Sequence, residues 1–242
     1  MDLLNGLQFI WFFAWNIQLV PLFLLLIRPF YVIDAQRYIQ YLVERAFSIK
    51  LHVTSDQPLI ERGYILANHR SWTDFILDPF VAKSSVVGRM AGFLAVFFGS
   101  CLYHADSRII SFRRGIETRQ AIFTKMKQHM NHSKYKRILI FPEGSRMKYT
   151  YLASADEVKT YLKFGVLKCI YDDKQFPVQL QISNNKEKAM DEKRLCVNYG
   201  VPIHTHHSKS IHPKDFATEQ AFYDEIANVW YECWKITHLT PQ

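Results

Sequence analysis

The 242-residue chain contains no Cys-x-x-Cys pair, no Gly-x-Ser-x-Gly elbow, no internal repeat and no low-complexity tract. Its four cysteines, Cys101, Cys169, Cys196 and Cys233, stand far apart, so neither a disulfide framework nor a zinc knuckle is indicated and buried, reduced thiols are expected. The missing elbow removes the serine nucleophile of the hydrolases. No basic residue precedes the first apolar run and no small-residue cleavage site follows it, which argues against a secretory signal peptide. With no linker evident, the chain reads as one domain with an N-terminal membrane element: membrane-associated helices over residues 1–46 and an α/β domain over 47–242.

What the chain does have is apolar mass and positive charge. Hydrophobic residues make up 49% and aromatics 15%, enough for a sizeable core and too much for disorder. A net charge of +8 favours anionic partners, whether nucleic acid, phosphorylated metabolites or acidic lipid. Nucleic acid is the weakest of these, because the aromatic cluster from Phe9 to Trp15 is not interleaved with basic residues. Phe9 to Ile27 runs without a charge and, at ~1.5 Å per residue, is just long enough as a helix to cross a hydrocarbon core. Asn16, Gln18 and Pro21 interrupt it, so a re-entrant or interfacial hairpin, or a buried core helix, competes with a true span. Arg28 and Arg37 flank only its C-terminal side, which by the positive-inside rule puts the rest of the chain in the cytosol.

Beyond this run the hydrophobic period switches back and forth. Asp34 can cap a helix in which Ile39, Leu42, Val43, Ala46 and Phe47 share a face. Strands are expected at 47–53, 64–68, 108–112, 136–141, 176–182 and 195–201. Helices are expected at 116–130 and 215–237, the second with Phe222, Ile226, Val229, Trp230 and Cys233 on one face. The run from Ala91 to Tyr103 is apolar all round and too short to span, so it is a core helix, a membrane-dipping segment or the wall of an acyl pocket. Strands alternating with helices imply an α/β fold: a mixed sheet flanked by helices on both faces, with an N-terminal hydrophobic membrane-anchoring helix or helical hairpin.

Asn68-His69-Arg70-Ser71-Trp72-Thr73-Asp74 follows the second expected strand, where the sites of such sheets lie. Two readings stand. His69 can be a general base and Asp74 the carboxylate that orients it. Alternatively, Ser71 is an N-cap, Asp74 reaches back to it as in a capping box, and His69 is a loop histidine. Residues 137–146 form a strand that ends in a turn gathering Glu143, Gly144, Ser145 and Arg146. Gly144 permits a positive φ. Arg146 offers a fork suited to phosphate, unless the turn is ordinary and Glu143 and Arg146 are a surface pair.

These two motifs, complete and in this order, resemble those of the glycerophospholipid acyltransferases, the family that includes the 1-acylglycerol-3-phosphate acyltransferases; its pattern is Asn-His, four residues, Asp, then Phe-Pro-Glu-Gly-Ser/Thr-Arg. The likeness covers about Phe47 to Tyr199. Ile109 to Arg113 loosely matches an intermediate family block, with Arg113 as its arginine and Arg114 as the alternative. The last block departs: many members carry two prolines in an apolar run, whereas here Pro177 is kept and Leu180 stands near the second. Gly165 to Lys168 is similar instead to a stretch of the eukaryotic lysophosphatidate and lysocardiolipin acyltransferases.

The resemblance implies transfer of a fatty acyl group from acyl-CoA to the free hydroxyl of a lysophospholipid, first of all lysophosphatidic acid to give phosphatidic acid, with lysocardiolipin or another lysophospholipid as the alternative acceptor. It implies His69 and Asp74 as catalytic residues and Arg113, Glu143, Gly144, Ser145 and Arg146 as substrate-binding residues. No metal and no cofactor are expected, acyl-CoA being a donor substrate. Lacking a serine elbow, the chemistry is expected to be direct transfer. The expected partners are membrane lipid, the lysophospholipid acceptor and acyl-CoA, without nucleic acid. The expected place is a membrane with the active site facing the cytosol, the endoplasmic reticulum if the host is eukaryotic. From a different class, a non-catalytic lipid-binding membrane protein would keep the same fold.

Two further stretches are read without function. His204, His206 and His207, with His212 nearby, have no carboxylate or cysteine at ligand spacing, so a solvated loop is expected rather than a metal site. The basic stretch 125–137 is either a surface for anionic lipid or a solvated helix end and loop.

Overall fold

The apolar N-terminal run is helical throughout in a computed structural model of the chain, which describes residues 3–29, 34–94, 96–147, 151–191 and 194–239. Helix α1 (Leu3–Phe12), a π-helical stretch (Phe13–Leu19) and α2 (Val20–Ile27) follow one another without a break. The wide turns sit just before Pro21 and absorb its effect: the Val20 N–H reaches back to the Trp15 carbonyl, five residues earlier. The polar residues that interrupt the run are its anchors. Asn16 accepts the hydroxyls of Tyr38 (at its carbonyl, 2.7 Å) and Tyr41 (at Oδ1, 2.7 Å), and Gln18 Oε1 accepts the Phe98 N–H at 3.3 Å. The opposite stripe, Leu4, Leu7, Trp11, Trp15, Leu19, Phe23 and Leu26, is exposed, so this is not the buried core helix of a soluble domain. Residues Leu4–Ile27 form one helix long and apolar enough to cross a membrane.

Next come α3 (Ala35–Tyr41), capped by Asp34 through the Gln36 N–H and continued by a π turn (Leu42–Ala46), then β1 (Lys50–Ser55) and β2 (Gly63–Ala67). The chain goes on through α4 (Asp74–Ala82), β3 (Ser85–Arg89), α5 (Met90–Leu94), α6 (Phe97–Ala105), β4 (Ile109–Phe112), α7 (Arg119–His132) and β5 (Arg137–Ile140). It closes with α8 (Ala155–Tyr161), α9 (Phe164–Asp173), β6 (Val178–Ser183), α10 (Lys186–Ala189), the short ribbon β7 (Met190–Asp191) and β8 (Cys196–Val197), β9 (Pro202–His207) and α11 (Glu219–His238). Serine and threonine hydroxyls cap α7, α8 and α11.

Seven strands form one mixed sheet in the order β1-β9-β6-β2-β5-β3-β4. From β6 to β4 all neighbours are parallel; β9 runs antiparallel to β6, and β1 parallel to β9. Helices cover both faces, and the central strands show how. In β2, Tyr64 and Leu66 point into a core shared with α7, α9 and α11, while Ile65 and Ala67 point into a second core shared with α3, α4 and α6. A strand covered on both sides reads as a continuous apolar run, as Gly63–Ala67 does. The three histidines expected in a solvated loop lie instead in β9, where His206 and His207 are buried. The strand expected at 195–201 shrinks to β8, and β3 was not anticipated.

Gly63 shows how closely β2 is packed: with φ +144°, a Cβ there would fall 2.4 Å from the Pro177 carbonyl oxygen. Backbone cannot give way as a side chain can, so Gly63→Ala should destabilise the protein by about 2–4 kcal/mol. Thermal unfolding of the two proteins in the same detergent would read the difference, and equal melting temperatures would refute this account of the strand.

Candidate active site

The parallel pairing of β2 with β5 places Leu66 beside Ile140, and that with β6 places Ala67 beside Gln181. The loops leaving these strand ends therefore meet, at the edge where sites of open α/β sheets lie. Asn68 locks the first loop to β6: its Nδ2 donates to the Ser183 carbonyl (2.9 Å) and its Oδ1 accepts the Ser183 N–H (3.0 Å). The second loop grips His69 from both sides, since the His69 N–H donates to Glu143 Oε2 and the His69 carbonyl accepts the Met147 N–H at 2.8 Å. Glu143 is 1% exposed, so it is a buried brace for the His69 loop.

His69 Nδ1 lies 2.8 Å from Asp74 Oδ2, with Asp74 fully buried and His69 slightly exposed. The same Oδ2 accepts the Arg70 N–H and, at 3.0 Å, the Ser71 N–H, while Ser71 Oγ accepts the Thr73 N–H at 3.0 Å. The capping and orienting arrangements thus coexist on one carboxylate. Burial pushes the Asp74 carboxyl up, but Lys186, His69 and the Arg70 amide together bring it below the ordinary carboxylate range. An ionised carboxylate only accepts, so Nδ1 is the donor in this contact. Phe141 stacks on the imidazole at 4.5 Å between centroids and Phe75 meets it edge-on at 5.5 Å, which fixes the ring plane.

Behind Asp74 lies a buried polar cluster that carries little signature in the sequence. Lys186, fully buried at the start of α10, places Nζ 2.6 Å from Asp78 Oδ2 and 3.5 Å from Asp74 Oδ1 and donates to the Asn68 carbonyl. Gln181 Nε2 donates to Asp78 Oδ1 at 3.1 Å, and His207 Nε2 lies 3.0 Å from Gln181 Oε1. Only Asp78 was within reach of sequence reasoning, standing one helical turn after Asp74 on the same face.

His69 opens on a cavity of about 950 Å³. Its walls are mainly apolar, among them Phe13 and Ile17 of the N-terminal helix and Tyr103 and Ser100 of α6, but they also include Arg89, Arg114, Arg119, Arg146 and Lys163. Two glycines make room for two of these cations. A Cβ on Gly144, whose φ is +67°, would sit 2.9 Å from Lys163 Cδ, and one on Gly165 would sit 2.9 Å from Arg119 Cζ. Gly144, Ser145 and Arg146 all line the cavity, with Arg146 6.0 Å from the Trp72 ring. Arg113 is exposed and is not part of this lining; its neighbour Arg114 is. Arg89, Arg119 and Lys163 were not anticipated, because nothing local distinguishes them from solvated cations. Among the described residues no group of three His, Cys, Asp or Glu is placed to hold a metal ion.

A His–Asp pair thus stands at the strand ends of a mixed α/β sheet and faces a largely apolar cavity ringed with cations. The family model described as Acyltransferase matches residues 48–175, just over half the chain, and the protein belongs to that acyltransferase family. Among solved structures, the crystal structure of the 1-acyl-sn-glycerophosphate (LPA) acyltransferase PlsC from Thermotoga maritima has the same fold, with a TM-score of 0.65 at 18% identity over 97% of this chain and 95% of that one. No curated protein matches the sequence.

Glu143 offers a direct test of the brace. Glu143→Ala would strand the buried His69 N–H and should cost about 1–3 kcal/mol of stability, while Glu143→Gln, which keeps an acceptor oxygen, should cost less. Chemical denaturation of both variants would check the order, and a Gln variant as unstable as the Ala variant would show that charge rather than the hydrogen bond matters.

Proposed function

We propose that the protein transfers a fatty acyl group from acyl-CoA to the free hydroxyl of a lysophospholipid, with lysophosphatidic acid as the preferred acceptor and phosphatidic acid as the product. The observation that carries this reading is the His69–Asp74 contact at 2.8 Å on the wall of a cavity both apolar and cationic. Apolar walls suit an acyl chain, and guanidinium groups suit phosphate. The likeness to a 1-acyl-sn-glycerophosphate acyltransferase supports the choice of acceptor.

In this mechanism the acceptor hydroxyl attacks the thioester carbonyl as His69 Nε2 takes its proton, and Asp74 stabilises the resulting imidazolium. The tetrahedral intermediate collapses with cleavage of the carbon–sulfur bond, and His69 returns the proton to the departing CoA sulfur. No acyl-enzyme forms. The Gly144 N–H is already engaged with the Phe141 carbonyl at 3.0 Å, so stabilisation of the oxyanion falls to the cations beside it, Arg146 and Lys163. The acceptor's phosphate lies against Arg114 and Arg146. The N-terminal helix holds the enzyme in the membrane, with the site facing the cytosol and, in a eukaryotic host, on the endoplasmic reticulum.

Purified protein in detergent, given labelled acyl-CoA and a panel of lysophospholipids, should acylate lysophosphatidic acid fastest; no turnover with any acceptor would overturn the reading in favour of a non-catalytic lipid binder. His69→Ala should lower kcat by about two orders of magnitude or more with little change in either KM. Asp74→Asn should lower both kcat and stability, since it removes the charge that serves His69 and Lys186 while leaving an oxygen for the backbone N–H groups. Wild-type kcat per folded molecule in that variant would reduce Asp74 to a cap. Arg114→Ala should raise the KM for a phosphorylated acceptor about tenfold, and Arg113→Ala should not. The reverse result would return the phosphate to Arg113.

A further inference from the structure

Lys186 is a fully buried ammonium that the proposed chemistry does not use. Burying a charge costs several kcal/mol unless partners offset it, so a lysine in this position needs an explanation. Its partners are well defined. Asp78 Oδ2 at 2.6 Å and the Asn68 carbonyl fix Nζ, which then faces Asp74 Oδ1 at 3.5 Å, the carboxylate oxygen turned away from His69. Asp74 therefore lies between the imidazole, hydrogen-bonded at Oδ2, and the ammonium charge 3.5 Å from Oδ1, an oxygen with no hydrogen bond of its own. Asn68 supplies the third contact from the residue next to His69 itself. The contacts to Asp74 and Asp78 are side chain to side chain between α4 and the α10 turn, and the one to Asn68 is to a loop carbonyl, so neither helix needs Lys186 for its own backbone hydrogen bonds.

We propose that Lys186, clamped by Asp78, is a positioning residue for the His69–Asp74 pair: it holds Asp74 from the side opposite His69 and sets the charge against which the imidazole works. This inference rests on reading His69 and Asp74 as the catalytic pair. Burial, reinforced by Asp74, pushes the Asp78 carboxyl up to about 7 against the pull of Lys186. Above that pH, with both carboxylates ionised and Lys186 charged, Asp74, Asp78 and Lys186 together carry one net negative charge while His69 is neutral, and none with His69 once it takes the acceptor's proton. Remove Lys186 and two buried carboxylates face each other with no cation between them, so they hold a proton that Asp74 needs to shed. Remove Asp78 instead and the uncompensated ammonium faces Asp74 alone, which weakens the hold on an imidazolium. Glu143 also faces this cluster: it accepts the His69 N–H and its charge adds to the pull of Asp74 and Asp78 on Lys186, but it is common to all the variants compared below, whereas Arg70 pairs with Glu187 at 3.3 Å and His207 lies 3.0 Å from Gln181 Oε1. His238 of α11 packs against Trp234 at 5.0 Å, and burial holds its imidazole down at about 4, so it is neutral where the enzyme works.

The test is the pH profile of kcat/KM for Lys186→Met, Asp78→Asn and the double variant in the full-length protein, with melting temperatures measured alongside. Lys186→Met should move the acid limb up and Asp78→Asn should move it down, each by about one pH unit, the scale of one neighbouring charge. The double variant, which restores the charge balance, should return the limb to its wild-type place even if it is less stable. Both KM values should stay near wild type while kcat at neutral pH falls about tenfold or more in Lys186→Met. Melting temperatures that drop with every acid limb unmoved would make the clamp merely structural and overturn the inference, as would a double variant that keeps the limb of Lys186→Met. Should Lys186→Met fail to fold, the downward shift in Asp78→Asn decides alone, and its absence counts against the proposal. His69→Ala separates the two levels of the argument: if that variant keeps its kcat the catalytic pair itself is wrong, whereas an inactive His69→Ala with unmoved limbs in the other variants leaves the pair standing and removes only the clamp.

Discussion

The site depends on the side-by-side parallel pairing of β2 and β5. With Leu66 beside Ile140, the chain leaves both strands at the same level and in the same direction, so two loops far apart in sequence are within one hydrogen bond of each other. Glu143 can then take the His69 N–H, and Met147 can donate to the His69 carbonyl. A slip of two residues in that register would keep every apolar side chain on its own face yet carry the loops about 7 Å apart, beyond the reach of either contact. The apolar pattern of the strands alone does not exclude such a slip. The buried Glu143–His69 contact does, because separating them would leave a carboxylate and an amide unpaired away from water.

A second constraint follows from burying Asp74. A lone ionised carboxylate in the interior is costly, and the structure meets that cost with two backbone amides and an imidazole at Oδ2 and with the Lys186 charge 3.5 Å from Oδ1. The same contacts begin α4. One carboxylate thus orients an imidazole and ties down the turn that leads into α4, so a contact to the backbone ahead of the helix and a contact to His69 do not compete for it.

Much of the fold was legible because it rests on local pattern. The long apolar faces of α3 and α11, the continuous apolar run of β2 and the strand ending at Pro142 each follow from periodicity and turn chemistry over a few residues. What escaped was set by tertiary partners. In β9, His-Thr-His-His looks like a polar loop, but Thr54 meets His206 at 2.9 Å and Gln181 meets His207 at 3.0 Å, which lets imidazoles sit inside a sheet. Within the site, His69, Asp74 and Gly144 to Arg146 stand where their motifs put them. Arg89, Arg119 and Lys163 join them only because the chain folds back over the cavity, and Lys186 only because β6 delivers α10 behind Asp74. Adjacent arginines were the hardest case. Arg113 and Arg114 differ by one position in sequence, and only the course of the backbone after β4 turns the second toward the cavity.

Residues on both sides of position 46 line one cavity. Phe13 and Ile17 of the first helix, and Tyr38 and Leu42 after it, line the same space as His69 and Arg146. Phe12, Ile39, Leu42 and Phe47 share a core with Ile65 and Leu139 of the sheet. The N-terminal helix is thus amphipathic in an unusual sense: one stripe is apolar and exposed, while the other is apolar but docked, with Asn16 and Gln18 marking the boundary through their bonds to Tyr38, Tyr41 and Phe98. Such a helix has one side on the exterior and the other on the cavity wall, so its own side chains connect the two spaces. Polar residues in the middle of a membrane-length run, which in isolation argue against insertion, are then explained by docking: they take hydrogen bonds from Tyr38, Tyr41 and the Phe98 N–H on the side where the helix meets the rest of the protein.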